Sequence, residues 1–399
     1  MRTEVYDAAV TGHWDGQFDE PRFQQWVEGL RAALRGPSVT LGLVFMSPAY
    51  AAQSSQVLEI LRVHGRVGLL AGCSGARLIA GGMEIEEQAG VVVGLYHLPG
   101  AELKATHFVQ SQVEEANGPA YWHLETGVTP DQSHGWLVFA DPFTLDPEAW
   151  LANWDEAYHP APILGGLASG DPGSSQTQVY LDGEVYTEGA VAVSFGGAVR
   201  LESVVSQACT PIGETWTITK AEGHYIHRIG NRPAYQVLLD TFNALPQEQQ
   251  QRAAHGNVFV GLVINEYQDE FHRGDFLIRN LLGGDPNSGI LSVGARPRTG
   301  QSLQFQCRDP NAATEDMVAL LARTRRRLSG ALVYGGCLCS CHGRGKHLFG
   351  VRNHDAALAQ RHLGPLALTG FFCNGEIGPV GGRSFVHGYT ASLALFVAR

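Results

Sequence analysis

Apolar and polar positions follow the same order three times along the chain. Each copy opens with a short apolar run, continues with helical spacing, and reaches a second apolar run that ends in glycine-rich residues. Short apolar runs bounded by turn residues predict buried strands, and apolar residues at every third or fourth position predict helices. The opening runs are 39–45, 136–140 and 331–334, and the closing runs are 90–96, 190–195 and 391–397.

The repeated order predicts an internal duplication of strand–helix–strand units. Glycine-rich turns are expected at 72–75, 165–170 and 370–376, because glycine adopts the backbone conformations of tight turns at little steric cost. We therefore expect a layered α/β (α+β) fold, in which mixed sheets pack face to face with the helices outside.

The stretch between the second and third copies has a different pattern. It shows several short strand-like runs within 215–307 and a long amphipathic helix over 312–328. A chain of 399 residues is long enough for two or three domains. We place the boundary near 209–213, which gives an N-terminal domain, 1–208, and a C-terminal domain, 209–399.

Charge and cysteine content narrow the classes of function. A formal net charge of −11 argues against a nucleic-acid partner, because phosphate contacts need a basic face. No apolar run reaches the roughly 18 residues typical of a membrane-spanning helix, so no membrane association is expected. Seven cysteines, an odd number, do not suggest a secreted disulfide framework. These features indicate a cytoplasmic protein.

The third copy carries the most specific motifs. Residues 370–383 read GFFCNGEIGPVGGR and are followed by HGYT at 387–390, while CHGRG stands upstream at 341–345. This combination resembles the hallmark of the FIST C-terminal domain, and 274–280 also fits that domain. The first copy, with its strand, helix and AGCSG at 71–75, is similar to the FIST N-terminal domain. The likeness covers nearly the whole chain.

The resemblance implies a sensory domain that binds a small ligand, an amino acid or another small polar molecule, in signal transduction. FIST proteins occur alone or fused to signalling output modules, so this chain is expected to act through a signalling partner protein. The resemblance implies a binding role rather than a known reaction. It therefore favours a protein that is not an enzyme and needs no cofactor.

The last glycine turn supplies the predicted ligand site. Successive backbone N–H groups around Asn374 and Gly375 can hold an anion. Arg344 offers a planar fork suited to a carboxylate, and Glu376 can bind an ammonium group. Together these two side chains suit the opposite charges of an α-amino acid. The remaining members of the predicted ligand-binding set are Cys341, Cys373 and Arg279.

Two other interpretations of the same turn stay open. The glycines can serve tight turns alone, with Arg344 and Glu376 joined as a structural ion pair. Alternatively, Cys341 or Cys373 can act with a nearby histidine as the nucleophile of a hydrolase or a thiol-dependent transferase.

A zinc site is the third alternative. Cys337, Cys339 and Cys341 point to one face if they lie in a strand, and His342 and His347 are near in the sequence. Three thiols on one face can ligate zinc, but this spacing is a weaker signal than the knuckle motif Cys-x₂-Cys. We predict no bound metal.

Overall fold

The computed structural model describes residues 1–171, 173, 175–254, 256–268 and 270–399. These residues form two compact units. The repeat unit comprises 1–205, 318–386 and 390–399, and the barrel unit comprises 206–317 and 387–389. The division of the sequence into domains 1–208 and 209–399 stays a prediction.

The first repeat has the predicted order of strand, helix, strand, hairpin and strand. Its elements are β1 (Arg2–Val5), β2 (Ala9–Asp15), α1 (Glu20–Ala33), β3 (Leu41–Met46), a 3₁₀ helix (Pro48–Gln53), α2 (Ser54–Val63), β4 (Leu70–Ser74), β5 (Leu78–Ala80), β6 (Met83–Ile85) and β7 (Gly90–Tyr96).

The second repeat follows the same order and leads into the strand that begins the third. Its elements are β8 (Ala101–Phe108), α3 (Gln110–Glu115), α4 (Pro119–Thr126), a 3₁₀ helix (Pro130–Gln132), β9 (Trp136–Ala140), α5 (Pro147–Tyr158), β10 (Ile163–Leu167), β11 (Val179–Leu181), β12 (Glu184–Tyr186), β13 (Ala190–Gly197) and β14 (Val199–Gln207).

The barrel unit is built from antiparallel strands that close into a ring in the order β15-β21-β18-β19-β20-β16, with β16 pairing back to β15. The elements in this part of the chain are β15 (Cys209–Glu222), β16 (Tyr225–Ile229), β17 (Arg232–Pro233), α6 (Ala234–Ala244), α7 (Gln247–Ala253), β18 (Val258–Val263), β19 (Phe276–Asp285), β20 (Ile290–Val293) and β21 (Ser302–Arg308). Ala234 and Val237 of α6 pack into the apolar core of this ring.

The third repeat resumes after the barrel unit in the sequence. Its further elements are α8 (Pro310–Arg327), β22 (Val333–Cys341), α9 (Lys346–Phe349), α10 (His354–Leu363), β23 (Leu368–Cys373), β24 (Glu376–Val380), β25 (Arg383–His387) and β26 (Thr390–Ala398). The predicted strand–helix–strand repetition is therefore confirmed in all three copies.

Each repeat contributes one mixed sheet with a pair of parallel strands at its centre. The three sheets run β1-β2-β7-β3-β4-β11-β12, β8-β13-β9-β10-β24-β25 and β14-β26-β22-β23-β5-β6. The parallel pairs are β3 with β4, β9 with β10, and β22 with β23. The predicted mixed α/β sheets are thus confirmed.

The repeats are interlocked through their hairpins. Hairpin β5–β6 of the first repeat completes the sheet of the third, β24–β25 of the third completes the sheet of the second, and β11–β12 of the second completes the sheet of the first. No repeat therefore completes its own sheet, and each of the three sheets contains strands from two repeats.

In the core between the three sheets, three phenylalanines, one from each sheet, pack against one another. The ring centroids of Phe45 and Phe139 are 5.3 Å apart, those of Phe45 and Phe371 5.1 Å, and those of Phe139 and Phe371 6.0 Å. Separate apolar clusters join α1 and α2 to the first sheet and α4 and α5 to the second. Helices thus cover the opposite faces of these sheets, as the patterning predicted.

One glycine occupies the same place in the second parallel strand of every repeat. A Cβ atom at Gly72, Gly165 or Gly370 would lie between 1.7 and 1.9 Å from a backbone oxygen of the facing strand, so no other residue fits without moving the strands. This equivalence aligns Cys373 with Gly75 rather than with the cysteine of the first glycine-rich segment. The turn expected at 72–75 begins only after Ser74, because β4 continues to that residue.

Candidate functional site

The carboxyl ends of the parallel strands of all three repeats meet at one point. Ser169, just after β10, links them: its N–H donates to the Ser74 carbonyl at 3.1 Å, and its hydroxyl donates to the Phe372 carbonyl at 2.6 Å. The same hydroxyl accepts from the Ala76 N–H at 3.0 Å. The three glycine-rich segments therefore form one hydrogen-bonded junction.

Asn374, a predicted site residue, belongs to this junction. Its N–H donates to the Leu167 carbonyl at 3.1 Å, and its side-chain amide donates to the Ala168 carbonyl at 3.0 Å. Gly375, also predicted, accepts from the Leu167 N–H at 2.8 Å. These bonds fix the last turn against the second repeat.

A cavity of about 670 Å³ opens at the junction, and we call it the central cavity. Residues of all three repeats line it, among them Arg77, Phe143, Gly170, Asp171, His342 and Asn374. A second cavity of about 440 Å³ lies beside it and shares Asp171 and Ser175. Ligands of open α/β sheets bind outside the carboxyl ends of the strands, which is where the central cavity lies.

Arg77 brings a fixed positive charge to the cavity wall. Its Nη1 is 3.1 Å from a carboxylate oxygen of Glu86, and its Nη2 is 3.0 Å from His342 Nδ1 and also donates to the His342 carbonyl. The guanidinium lies over the Phe372 ring, 4.4 Å from its centroid. Because three neighbours hold it, Arg77 can receive an anion with little further loss of side-chain freedom.

His342 is a neutral hydrogen-bonding group at physiological pH. Burial, together with the charge of Arg77, lowers the pKa of His342 to about 4. A neutral imidazole that accepts at Nδ1 carries its proton on Nε2. His342 can therefore accept from Arg77 and still donate through its other nitrogen.

Arg344 lies in the interior, where its fork is occupied. The guanidinium is fully buried and pairs with Asp355 through two bonds, 2.6 Å from Nε and 2.9 Å from Nη2. Burial by itself would raise the pKa of Asp355, but the charge and hydrogen bonds of Arg344 hold it well below its usual range. Arg344 thus forms its bidentate ion pair with Asp355, and not with Glu376 as the interpretation of a structural Arg344–Glu376 pair expected.

Glu376 and Cys373 are buried next to each other. The Cys373 thiol donates to one carboxylate oxygen of Glu376 at 3.2 Å, and the Thr390 N–H donates to the other at 3.0 Å. Burial raises the pKa of Glu376 to about 8 and, together with the nearby Glu376 charge, raises the pKa of the Cys373 thiol well above its usual value. A protonated thiol is a poor nucleophile, so these surroundings do not by themselves activate Cys373 as a nucleophile.

The other predicted residues fall in two places. Cys341 is half-buried and is the register partner of Cys373 across the parallel pair. Arg279 is buried on β19 in the barrel unit. The structure therefore brings Cys341, Arg344, Cys373 and Glu376 together, and we call these four the thiol–carboxylate cluster.

Two of the three cysteines of β22 are core residues. Cys337 and Cys339 are buried in the apolar cluster between the sheets. In the part of the chain that the structure describes, no group of three or more His, Cys, Asp or Glu side chains is arranged to hold a metal ion. Among the same residues, no helix is long and apolar enough to cross a membrane.

Sequence reasoning missed two charged residues of the central cavity. Arg77 follows the first glycine-rich segment and Asp171 follows the second, so each comes just after a parallel strand. Charged side chains at the carboxyl ends of parallel strands are a recognisable signal.

Two solved structures of cyanuric acid hydrolases show a weak overall likeness. The enzyme from A. caulinodans has a TM-score of 0.34 and 9% identity, and the comparison covers 98% of this chain and 99% of that one. A second cyanuric acid hydrolase has a TM-score of 0.32 and 10% identity over 98% of this chain and 100% of the other. Scores this low carry no inference about function.

Sequence relatives are much closer. The uncharacterized protein Rv0628c of Mycobacterium tuberculosis is 34% identical over 92% of this chain and 94% of its own length. The uncharacterized protein Mb0898c of Mycobacterium bovis is 34% identical over 92% of this chain and 93% of its own length. Residues 40–232 match the FIST N domain and residues 234–379 match the FIST C domain. The chain therefore belongs to the FIST family, whose domains are generally sensory domains for small ligands.

Proposed function

We propose that the protein senses a small zwitterion, of the amino-acid class, in the central cavity. The observation that carries the proposal is that a guanidinium held by its neighbours, Arg77, and a carboxylate, Asp171, line the same cavity, to which all three repeats contribute. A ligand carboxylate would meet Arg77 and the Nε2–H of His342. Its ammonium group would meet Asp171, and Asn374 would supply a further polar contact.

The size of the cavity is compatible with this class. Small-molecule sites are commonly clefts of about 300 to 1,000 Å³, and the central cavity has about 670 Å³. The Arg77 side chain is only 18% exposed, so its interaction with an anion is screened less by water than that of a surface arginine. Phe143, half exposed beside the cavity, offers an apolar surface for a ligand side chain.

In this proposal the residues of the thiol–carboxylate cluster do not contact the ligand but position the residues that line the cavity. Cys341 and Cys373 directly precede the cavity residues His342 and Asn374 in the sequence. At the end of β22 the Arg344 N–H donates to the Cys341 carbonyl, and at the end of β23 the Glu376 carboxylate accepts from the Cys373 thiol. A direct ligand contact is therefore proposed for Asn374, and a supporting role for the rest of the cluster.

We further propose a cytoplasmic location and a signalling partner that responds to ligand occupancy. In the part of the chain that the structure describes, which includes all seven cysteines, none forms a disulfide, as is typical of proteins in a reducing compartment. Because the cavity is formed at the junction of three interlocked repeats, a bound ligand would stabilise all three together. Such a change in stability is a signal that a partner protein can read.

A thermal-shift screen against the standard amino acids tests the proposal. A ligand at 100 times its Kd should add about 2.7 kcal/mol to the free energy of unfolding. Arg77→Ala should abolish the shift, whereas Arg22→Ala, which removes an exposed arginine from α1, should preserve it. The proposal fails if no amino acid stabilises the wild type, or if both variants respond equally.

A further inference from the structure

The two thiols of the thiol–carboxylate cluster are adjacent at the ends of neighbouring strands. Cys341 is the last residue of β22, Cys373 is the last residue of β23, and the two are register partners. Neighbouring strands lie about 4.8 Å apart, which falls within the Cα separations of about 4.4 to 6.8 Å found in disulfides. The spacing of this pair therefore suits a disulfide bond.

Both thiols also point to the same side of the sheet. The Cys373 sulfur is 3.2 Å from a carboxylate oxygen of Glu376, and the Cys341 side chain hydrogen-bonds to the same carboxylate. Because one carboxylate contacts both sulfurs, the two side chains converge. Glu376 thus brings both thiols to one carboxylate.

The two cysteines differ in their access to solvent. Cys341 is half-buried, whereas the other six cysteines of the chain are buried. An oxidant in solution therefore reaches Cys341 before the others. Cys373, directly behind it, is placed to react second.

Arg344 supplies a positive charge beside Cys341. Its guanidinium is fully buried, and its electrostatic contacts include both Cys341 and Glu376. Two of its three nitrogens bond to Asp355, while Nη1 has no hydrogen-bond partner among the residues that the structure describes. A nearby arginine favours the thiolate, which is the reactive form of cysteine.

We propose that Cys341 and Cys373 form a redox-active dithiol that a hydroperoxide converts to a disulfide. The Cys341 thiolate attacks one peroxide oxygen, the O–O bond breaks, and the released hydroxide takes up the proton that Cys341 lost. Cys341 is then a sulfenic acid. The Cys373 sulfur attacks the Cys341 sulfur, and the hydroxyl group leaves as water with the Cys373 proton. Two thiols are oxidised and one hydrogen peroxide is reduced to two waters.

This chemistry is independent of the proposed ligand, because it needs only the four side chains of the cluster. It has a consequence for the central cavity, since His342 and Asn374 follow the two cysteines directly. A covalent bond between the strand ends would restrain both cavity residues. A thiol reductant would reverse the change.

Peptide mapping of the full chain tests the proposal. The protein is treated with hydrogen peroxide, blocked with N-ethylmaleimide, digested without reductant and analysed by mass spectrometry. We expect a crosslinked peptide pair containing Cys341 and Cys373, which dithiothreitol removes. Cys307→Ser, which removes a buried thiol of the barrel unit, should leave the crosslink unchanged. In Cys373→Ser, dimedone should trap a sulfenic acid on Cys341.

The wild-type map alone can overturn the proposal, so it does not depend on any variant that folds poorly. The proposal is wrong if Cys341 proceeds to a sulfinic acid without a crosslink to Cys373. It is also wrong if both thiols stay reduced at peroxide concentrations that oxidise free glutathione. Neither result would bear on amino-acid binding, which the thermal-shift screen measures separately.

Discussion

Replacement of Asp355 by alanine should destabilise the repeat unit severely. Asp355 and Arg344 are both fully buried, and Asp355 Oδ2 lies 2.6 Å from Arg344 Nε. Asp355→Ala leaves the guanidinium buried without a counter-charge, which typically costs about 3 to 5 kcal/mol. Ser340 and His354 also lose an acceptor, because both bond to the same carboxylate.

The expected change in melting temperature follows from the size of the repeat unit. The unit contains about 280 residues, so its unfolding entropy near 60 °C is about 0.6 kcal/mol/K. A loss of about 3 to 5 kcal/mol then lowers Tm by about 5 to 8 °C. Differential scanning calorimetry measures this shift directly.

Glu87 offers a matched control for the same experiment. Its carboxylate pairs with Lys346 at 3.2 Å and Arg352 at 2.6 Å, but its side chain is 55% exposed. Exposed ion pairs contribute little to stability because water screens them, so Glu87→Ala should lower Tm far less than Asp355→Ala does.

A double variant separates an uncompensated charge from other effects. Arg344→Met combined with Asp355→Leu removes both charges, and replacing a buried ion pair by apolar residues is often close to neutral. The double variant should therefore be more stable than Asp355→Ala. The reasoning is refuted if Asp355→Ala melts within 1 °C of the wild type, or if the double variant is the less stable of the two.

Three further predictions concern the backbone and the buried acids. Gly72→Ala should disrupt the first sheet, because its Cβ would lie 1.7 Å from the Val44 backbone oxygen. Urea unfolding should show that this variant loses several kcal/mol of unfolding free energy. Gly29→Ala on α1, where open space surrounds the glycine, should instead gain about 0.5 to 1 kcal/mol. Because the folded-state pKa of Glu376 is raised to about 8, the free energy of unfolding should fall as the pH rises from about 5 to 8, and Glu84, with a pKa of about 7, contributes in the same range. Glu376→Gln should make this slope shallower by at most about 1.4 kcal/mol per pH unit. An unchanged slope in urea titrations would contradict the assignment. The His342 ring signals in NMR spectra, identified by comparison with His342→Gln, should titrate near pH 4; a midpoint above pH 6 would show that the ring is neither desolvated nor close to Arg77.

Local patterning predicts the repeated elements, but it does not predict which sheet each hairpin joins. The apolar runs and the spacing between them mark the strands and helices of all three copies. Hairpin Leu78–Ile85, however, pairs with strand Leu368–Cys373, and neither segment has a sequence pattern that identifies the other as its partner. Pairing between segments nearly 300 residues apart depends on the packing of the whole unit. The shared glycines at 72, 165 and 370 are the one local trace of the common strand geometry.

Only part of the proposed site follows from the sequence, because the cavity also depends on pairing between distant segments. The motifs of the third copy pointed to Asn374, which lines the central cavity. Those motifs could not show that Asp355 occupies the fork of Arg344, because Asp355 lies outside them, in helix α10. They also could not show that Arg77 reaches His342, since the two residues meet only through the exchanged first hairpin.

Calorimetric titration of the best amino acid from the thermal-shift screen tests the central claim most directly. Loss of a charge-assisted contact costs about 1.5 to 3 kcal/mol, so Arg77→Ala should raise Kd by about 10-fold to 150-fold. Arg22→Ala should leave Kd within about twofold of the wild type. Equal affinities of the wild type and Arg77→Ala would contradict a ligand site in the central cavity.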